Sequence, residues 1–322
     1  MEPEQISRAE AMRRRNIKRQ RRRERRRKVM IARCCVAVVL LAVICGAGYG
    51  IFRVADHLLN PDDGKNQTEQ VLVTPEPTSA YYVPEGMEQW AEKLEAMREE
   101  YPQVKDILIN LKEYRESILN LAVTNPETLD FVLDYPRNKT IDEQTGEITD
   151  EELDQGIPQL QQWDKRWGYV NYGSDCIAIS GCGPTCLSMV VSGLKQDKTV
   201  TPAYVAQFSL FHNYYSADYG SSWKLMSTGA EELGLKVHND LSAGSARLAE
   251  KVVDVLRKGD PVIASMKPGD FTTAGHFIVL TGVTQDGKLL IHDPNSISRS
   301  SKQWEPQTVC SQIKAVWYYS LP

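Results

Sequence analysis

Nineteen consecutive residues without a formal charge, CCVAVVLLAVICGAGYGIF from Cys34 to Phe52, lie between Arg33 and Arg53. As a helix rising about 1.5 Å per residue they cover about 29 Å, the thickness of a bilayer core. A cleaved signal peptide is the rival reading. Against it stand the long basic lead-in, the lack of a clean small-x-small site after the apolar run, and Ile44 where a lipoprotein signal before Cys45 needs a small residue. The Arg and Lys clusters between Arg13 and Lys28 suit nucleic acid or anionic lipid, but beside a first apolar segment they act as a topological signal that holds this end in the cytoplasm. Residues 1–53 hold 15 Lys and Arg against 4 Asp and Glu, and the rest of the chain holds 23 against 38. The expectation is a single-pass protein of the cell membrane: a basic cytoplasmic tail (1–33), contact with lipid through residues 34–52, an acidic extracellular part, and no nucleic-acid partner.

At 322 residues, 42% hydrophobic and 25% charged, the chain is neither disordered throughout, collagen-like nor a disulfide-dense miniprotein. Residues 53–86, rich in Pro, Asp, Thr and Gly, read as a linker or stalk that includes His57. Residues 87–150 read as a small helical subdomain: Trp90, Leu94 and Met97, then Val104, Ile107, Leu108 and Leu111, then Ile118, Leu119 and Leu121 recur at three and four. Pro102, Pro126 and Pro136 are expected to divide it into short helices that pack on the following domain and carry no chemistry. Residues 157–322 suffice for one domain with its own core. Helices are expected near 184–194, 201–211, 222–233 and 243–257, and strands near 261–266, 276–283, 289–293 and 315–320. Helices first and antiparallel strands later make an α+β plan.

The stretch SGCGPTCLSMVVSGL is the most informative. Pro184 and the apolar positions Leu187, Val190, Val191 and Leu194 start a helix right after Cys182. There the dipole and free backbone N–H groups favour an anion, the thiolate form that attacks a carbonyl. Gly181 and Gly183 leave room for a substrate backbone, and Cys186 is expected to pack in the core. Of the five histidines, His212 and His238 show no obvious partner, whereas His276 begins the strand HFIVLTGV and His292 lies across a hairpin in LLIHDPN.

The hairpin register decides between the last two. A two-residue turn at Asp286 and Gly287 makes facing residue numbers sum to 573, and a four-residue loop from Thr284 to Gly287 makes them sum to 571. Either odd sum puts Asp293 and Asn295 on the face of His276 and sends His292 to the other, with Asp293 a diagonal neighbour of His276 in the second register. A three-residue loop reverses the assignment. A carboxylate beside His276 holds the imidazole's tautomer, the third role in a Cys-His-Asp arrangement.

Taken together, GCGPTCLSMV, AGHFIVLTGV about 90 residues later, and IHDPNS resemble the papain-like cysteine peptidases of the bacteriocin-processing type, in the form found in bacterial secreted and membrane-anchored proteins. The resemblance covers residues 157–322. It implies a papain-like fold with N-terminal helices on an antiparallel sheet, Cys182 as nucleophile, His276 as general base, Asp293 as orienting residue, and an oxyanion-hole glutamine at Gln162 in LQQWDKRWGYVNYG, with the Cys182 backbone N–H as second donor. A peptide or protein substrate follows, and no cofactor. Leader processing does not fit a chain with one span and no transporter. A cell-wall amidase or endopeptidase on the same scaffold and a non-catalytic binding module stay open, as do a Cys176–Cys310 bridge and a zinc set of Cys182, Cys186, His276 and His292. Trp163, Trp167, Tyr214, Tyr215 and Trp223 suit either the cleft or the core.

Overall fold

The computed structural model describes residues 81–139, 141, 143–217 and 220–322. The basic tail, the 34–52 span and most of the linker lie outside the described residues, and among the described residues no helix is long and apolar enough to cross a membrane.

Four helices open the described chain: α1 (Glu88–Met97), α2 (Val104–Ile109), α3 (Glu116–Thr124) and α4 (Leu129–Asn138). Their three- and four-residue apolar spacing folds inward, so that Leu94, Ile107, Leu108, Ile118, Leu119 and Val132 are fully buried in one cluster. Between α3 and α4 the chain turns at Asn125–Pro126–Glu127, where the Asn125 side chain accepts from the Glu127 N–H and Pro126 starts a short 3-10 turn. Pro136 does not end its helix, contrary to expectation; it sits in the last turn of α4, where one intrahelical bond is lost. The short α5 (Asp150–Leu153) follows, started by a reciprocal capping box between Thr149 and Glu152.

The remaining chain is α+β. Two short hairpins, β1 (Asn171–Tyr172) with β2 (Asp175–Cys176) and β3 (Tyr215–Ser216) with β4 (Gly220–Ser221), flank α6 (Ile177–Ser180), α7 (Cys182–Lys195) and α8 (Pro202–Phe211). Next come a π-helical turn (Leu225–Gly229) running into α9 (Ala230–Glu232), then β5 (Lys236–His238), α10 (Leu248–Arg257), β6 (Val262–Met266), β7 (His276–Val283), β8 (Leu289–His292), α11 (Ile297–Ser300), α12 (Pro306–Ser311) and β9 (Ile313–Ser320). The five longest-range strands form one antiparallel sheet in the order β5-β9-β6-β7-β8. Strand alternation gives it two apolar faces. Ile263, Phe277, Val279, Trp317 and Tyr319 pack with Leu187 and Val190 of α7. Ile278, Leu280, Ile291 and Val316 pack with Leu248 and Val252 of α10.

Two helices expected from periodicity are shorter than their apolar pattern. The one near 222–233 is π-wound over Leu225–Gly229, and the one near 243–257 begins only at Leu248. In the second case Gly244 is left-handed at φ +80°, and turns at Ser245 and Leu248 precede the helix. The helical segment and the later domain share a core, since Tyr169, Cys176 and Ala178 lie in the same cluster as α1 to α4.

Candidate active site

Cys182 is the first residue of α7, with Gly181 as its N-cap, and α7 buries eleven of its fourteen residues. The first turn of a helix leaves backbone N–H groups unpaired, so the thiol sits where an anion is favoured. The flanking glycines serve packing. A Cβ on Gly183 would stand 2.4 Å from Ser221 Oγ, and one on Gly181 would stand 2.5 Å from the Ile177 carbonyl oxygen. Ser221 is itself held by the Tyr172 hydroxyl at 2.9 Å. The expectation that both glycines make room for substrate is replaced by an internal reason: without side chains, α6, α7 and β4 close tightly around Cys182.

His276 is the first residue of β7, opposite Met266 of β6. Its Nε2 donates to Asp293 Oδ1 at 2.7 Å, inside the protein: His276 is 8% exposed and Asp293 0%. The β7–β8 loop is the three-residue one, Gln285 to Gly287. Thr284 and Lys288 close it, with Gly287 left-handed at φ +90°. Near the turn the register sum is therefore 572, and by itself this would have reversed the faces. A bulge at Thr281 then shifts the pairing to Leu280 with Ile291 and Val279 with His292, which restores 571. Asp293 thus reaches the diagonal position beside His276. His292 turns elsewhere and donates from Nδ1 to the Pro158 carbonyl oxygen at 3.2 Å.

The charges follow from this geometry. Burial would push the His276 imidazole down, but the charge and hydrogen bond of Asp293, and the hydrogen bond and charge of Cys182 beside it, outweigh that and hold it up at about 10. Burial pushes Asp293 up, and the opposing charges and hydrogen bonds of His276 and Arg299 more than cancel it, leaving the carboxyl below its ordinary range. Arg299 Nε donates to Asp293 Oδ2 at 2.6 Å and the Asn295 N–H donates to Oδ1 at 2.8 Å, so both carboxylate oxygens are taken. Arg299 is a residue that sequence reasoning missed. The signal was present as RS six residues beyond Asp293, but nothing in one sequence says that this arginine turns back.

Gln162 arrives on the segment before β1. Its backbone N–H donates to the Pro294 carbonyl oxygen at 2.8 Å, and its Nε2 donates to the Ala178 carbonyl oxygen at 2.7 Å. An amide nitrogen carries a second hydrogen, so one donor is left. Gln162, Cys182 and His276 line one cavity of about 720 Å³, and Asp293 is buried behind His276. The far wall of that cavity belongs to the helical segment, through Tyr101, Asn125 and Glu127. On the other side of Cys182 and His276 lies a second cavity of about 760 Å³, with Met266 and Phe277 in its lining and Trp223 and Lys314 beside them. Of the five aromatic residues singled out, Trp223 lines a cavity, whereas Trp167 and Tyr214 are core.

The other described cysteines are free thiols. Cys176 and Cys310 belong to different apolar clusters, so the bridge between them is not made. Burial pushes each of these two thiols up to about 12, and drives Cys186 well above its ordinary value. Cys186 is core and His292 is bonded to Pro158, so the alternative zinc set is not gathered. Among the described residues, no group of three or more His, Cys, Asp or Glu is placed to hold a metal.

No curated protein matches the chain significantly. Residues 154–320, just over half of the chain, match the family described as the Peptidase_C39 like family. The chain therefore belongs to that family, and its second half is a cysteine peptidase domain of the papain-like superfamily.

Proposed function

We propose that the protein is a membrane-anchored thiol hydrolase that cleaves peptide or amide bonds outside the cell through Cys182, His276, Asp293 and Gln162. The observation that carries this reading is the buried His276–Asp293 pair next to a half-buried cysteine at a helix start, between two cavities. With Nε2 committed to Asp293, Nδ1 is the nitrogen free to serve Cys182. The Cys182 thiolate attacks the substrate carbonyl carbon, and the C=O electron pair moves to oxygen. There the second N–H of Gln162 Nε2 and the Cys182 backbone N–H stabilise it. The tetrahedral species collapses: His276 gives its proton to the departing nitrogen, the C–N bond breaks and a thioester is left. Water, deprotonated by the now neutral His276, attacks the thioester. The acid leaves, and thiolate and imidazolium are restored.

Residues 34–52 serve as the span, with the basic tail in the cytoplasm and the enzyme outside. The tests are direct. Cys182→Ala should abolish hydrolysis of a peptide library, and a thiol-reactive probe at neutral pH should label Cys182 ahead of Cys176, Cys186 and Cys310. Undiminished hydrolysis by Cys182→Ala refutes the mechanism. Running purified cell wall beside the library separates a peptidase from a peptidoglycan amidase or endopeptidase. Protease shaving of intact cells tests the orientation, and protection of residues 157–322 would refute it.

A further inference from the structure

We propose that Glu127, on the turn between α3 and α4, is a positioning residue for the His276–Asp293 pair, so that the helical segment is part of the catalytic apparatus. The proposal rests on the thiol-hydrolase reading above. Glu127 lies outside residues 154–320, the part of the chain that carries the family match.

The connection is continuous. Glu127 Oε2 accepts from the Ile297 N–H at 2.6 Å, and Oε1 accepts from the Ser298 N–H at 2.9 Å and the Ser296 hydroxyl at 3.3 Å. A carboxylate from a distant part of the chain thus caps the first turn of α11, whose own cap, Ser296, accepts from the Arg299 N–H at 3.2 Å. Asn125 Nδ2 adds a bond of 2.6 Å to the Asn295 carbonyl oxygen. The segment held in this way is the one that carries Asp293 and Arg299. Ser300 in the same short helix donates its hydroxyl to the Ser296 carbonyl oxygen at 2.7 Å and accepts from the Asp293 N–H at 2.9 Å.

A four-residue helix is too short to hold its own shape, because nucleation costs more than so few bonds return. Its geometry must come from outside contacts, and Glu127 and Asn125 supply them from the helical segment. Released, α11 would let Arg299 and the Asp293 backbone move, and the Asp293–His276 bond with them. The charged and titratable groups around His276 are Cys182 on α7, Asp293 at the end of β8, Arg299 on α11 behind Asp293, and Lys314 on β9, which shares the second cavity. Glu127 and Tyr101 face His276 across the first cavity, but the hydrogen bonds of Glu127 go to α11 and its N-cap Ser296.

The experiment compares the full chain with Glu127→Ala, Glu127→Gln and Asp293→Asn, following kcat and KM across pH together with the melting temperature. Glu127→Gln keeps the shape, so it decides the matter if the Ala variant does not fold. A misplacement near 1 Å can cost on the order of 100-fold. Glu127→Ala is therefore expected to lower kcat by roughly 10- to 100-fold with KM little changed. Its alkaline limb should move toward neutral pH in the direction of Asp293→Asn, and Glu127→Gln should fall between Ala and wild type. A fall in kcat with an unmoved alkaline limb, or no fall at all, overturns the proposal while Asp293→Asn still shifts. If Asp293→Asn leaves the limb in place as well, the reading of the catalytic pair fails and this link falls with it.

Discussion

Replacing Asp293 by Asn keeps the side chain's shape and removes its charge. The consequence for His276 can be worked from the buried pair. Wild-type His276 is held at about 10, against an ordinary 6.5, chiefly by the Asp293 charge and hydrogen bond acting against burial. At pH 8 an imidazole titrating near 10 is about 99% protonated, and one titrating at 6.5 about 3%. The proton donor for the leaving nitrogen is then about 30-fold scarcer where the remaining pull of Cys182 offsets burial, and more so if burial wins and takes the imidazole below 6.5. At pH 6 the two forms differ by only about 1.3-fold. The loss of orientation costs the same at both pH values. The distinguishing result is therefore a deficit in kcat/KM that grows roughly 20-fold or more between pH 6 and pH 8. A fluorogenic peptide cleaved by wild type and Asp293→Asn over pH 5 to 10 measures it. A deficit of equal size at pH 6 and pH 8 refutes the claim that Asp293 sets the charge state of His276.

Two other predictions concern stability around the site. Burial lowers His292 to about 4, only partly opposed by its bond to Pro158, so the folded state holds it neutral while the unfolded chain takes up a proton below 6.5. Its contribution is complete above pH 6.5 and is lost as pH falls toward 4, about 2 kcal/mol by pH 5. His276 gives the opposite slope: its raised value makes a contribution that is complete only below 6.5 and is lost as pH rises toward 10, so between pH 7.5 and pH 5 it partly offsets the His292 loss. Denaturant unfolding of wild type and His292→Gln at pH 7.5 and pH 5 should show wild type losing about 2 kcal/mol more than the variant on acidification, since the His276 contribution is common to both; equal changes in the two proteins would contradict it. Gly183→Ala places a methyl 2.4 Å from Ser221 Oγ, and overpacking of this kind costs about 1–3 kcal/mol. Both the melting temperature and kcat should fall, and a variant indistinguishable from wild type would show that α7 and β4 can part without disturbing Cys182.

What was legible in the sequence was whatever depends on local pattern. The start of α7 at Cys182 follows from Gly181, Pro184 and the apolar spacing after them, and strand β7 runs where the short apolar stretch HFIVLTGV after Gly275 puts it. The His276–Asp293 pairing was reached by a route that the structure corrects. Parity arguments see the loop or the bulge only if each is assumed, and here a three-residue loop and a bulge at Thr281 each shift the pairing by one and cancel. The helical segment shows the limit more sharply. Asn125 and Glu127 look like an ordinary Asn-Pro turn, and nothing local indicates that they bond to Asn295, Ile297 and Ser298, about 170 positions away. Edge strand β5 was missed for a similar reason: three residues carry no readable period, and the pairing with Tyr318 to Ser320 defines it.

Arg299 answers an energetic difficulty built into a buried Cys-His-Asp arrangement. A carboxylate at 0% exposure is costly unless cations and donors offset the lost water. While His276 is protonated, it supplies that charge. In the proposed mechanism, once His276 has given its proton to the leaving nitrogen, the thioester half of the cycle would leave Asp293 ionised against a neutral imidazole. Removing one partner of a buried pair in this way costs about 3–5 kcal/mol when nothing else compensates. The Arg299 guanidinium on Oδ2, with the Asn295 N–H on Oδ1, keeps the carboxylate satisfied in both halves. His276 can then change its protonation state without forcing Asp293 to change too, which a base that must accept the proton of water and a donor that must give one to an amine both require. The α11 segment carries that cation, and so the contacts that shape it bear on chemistry as well as on packing.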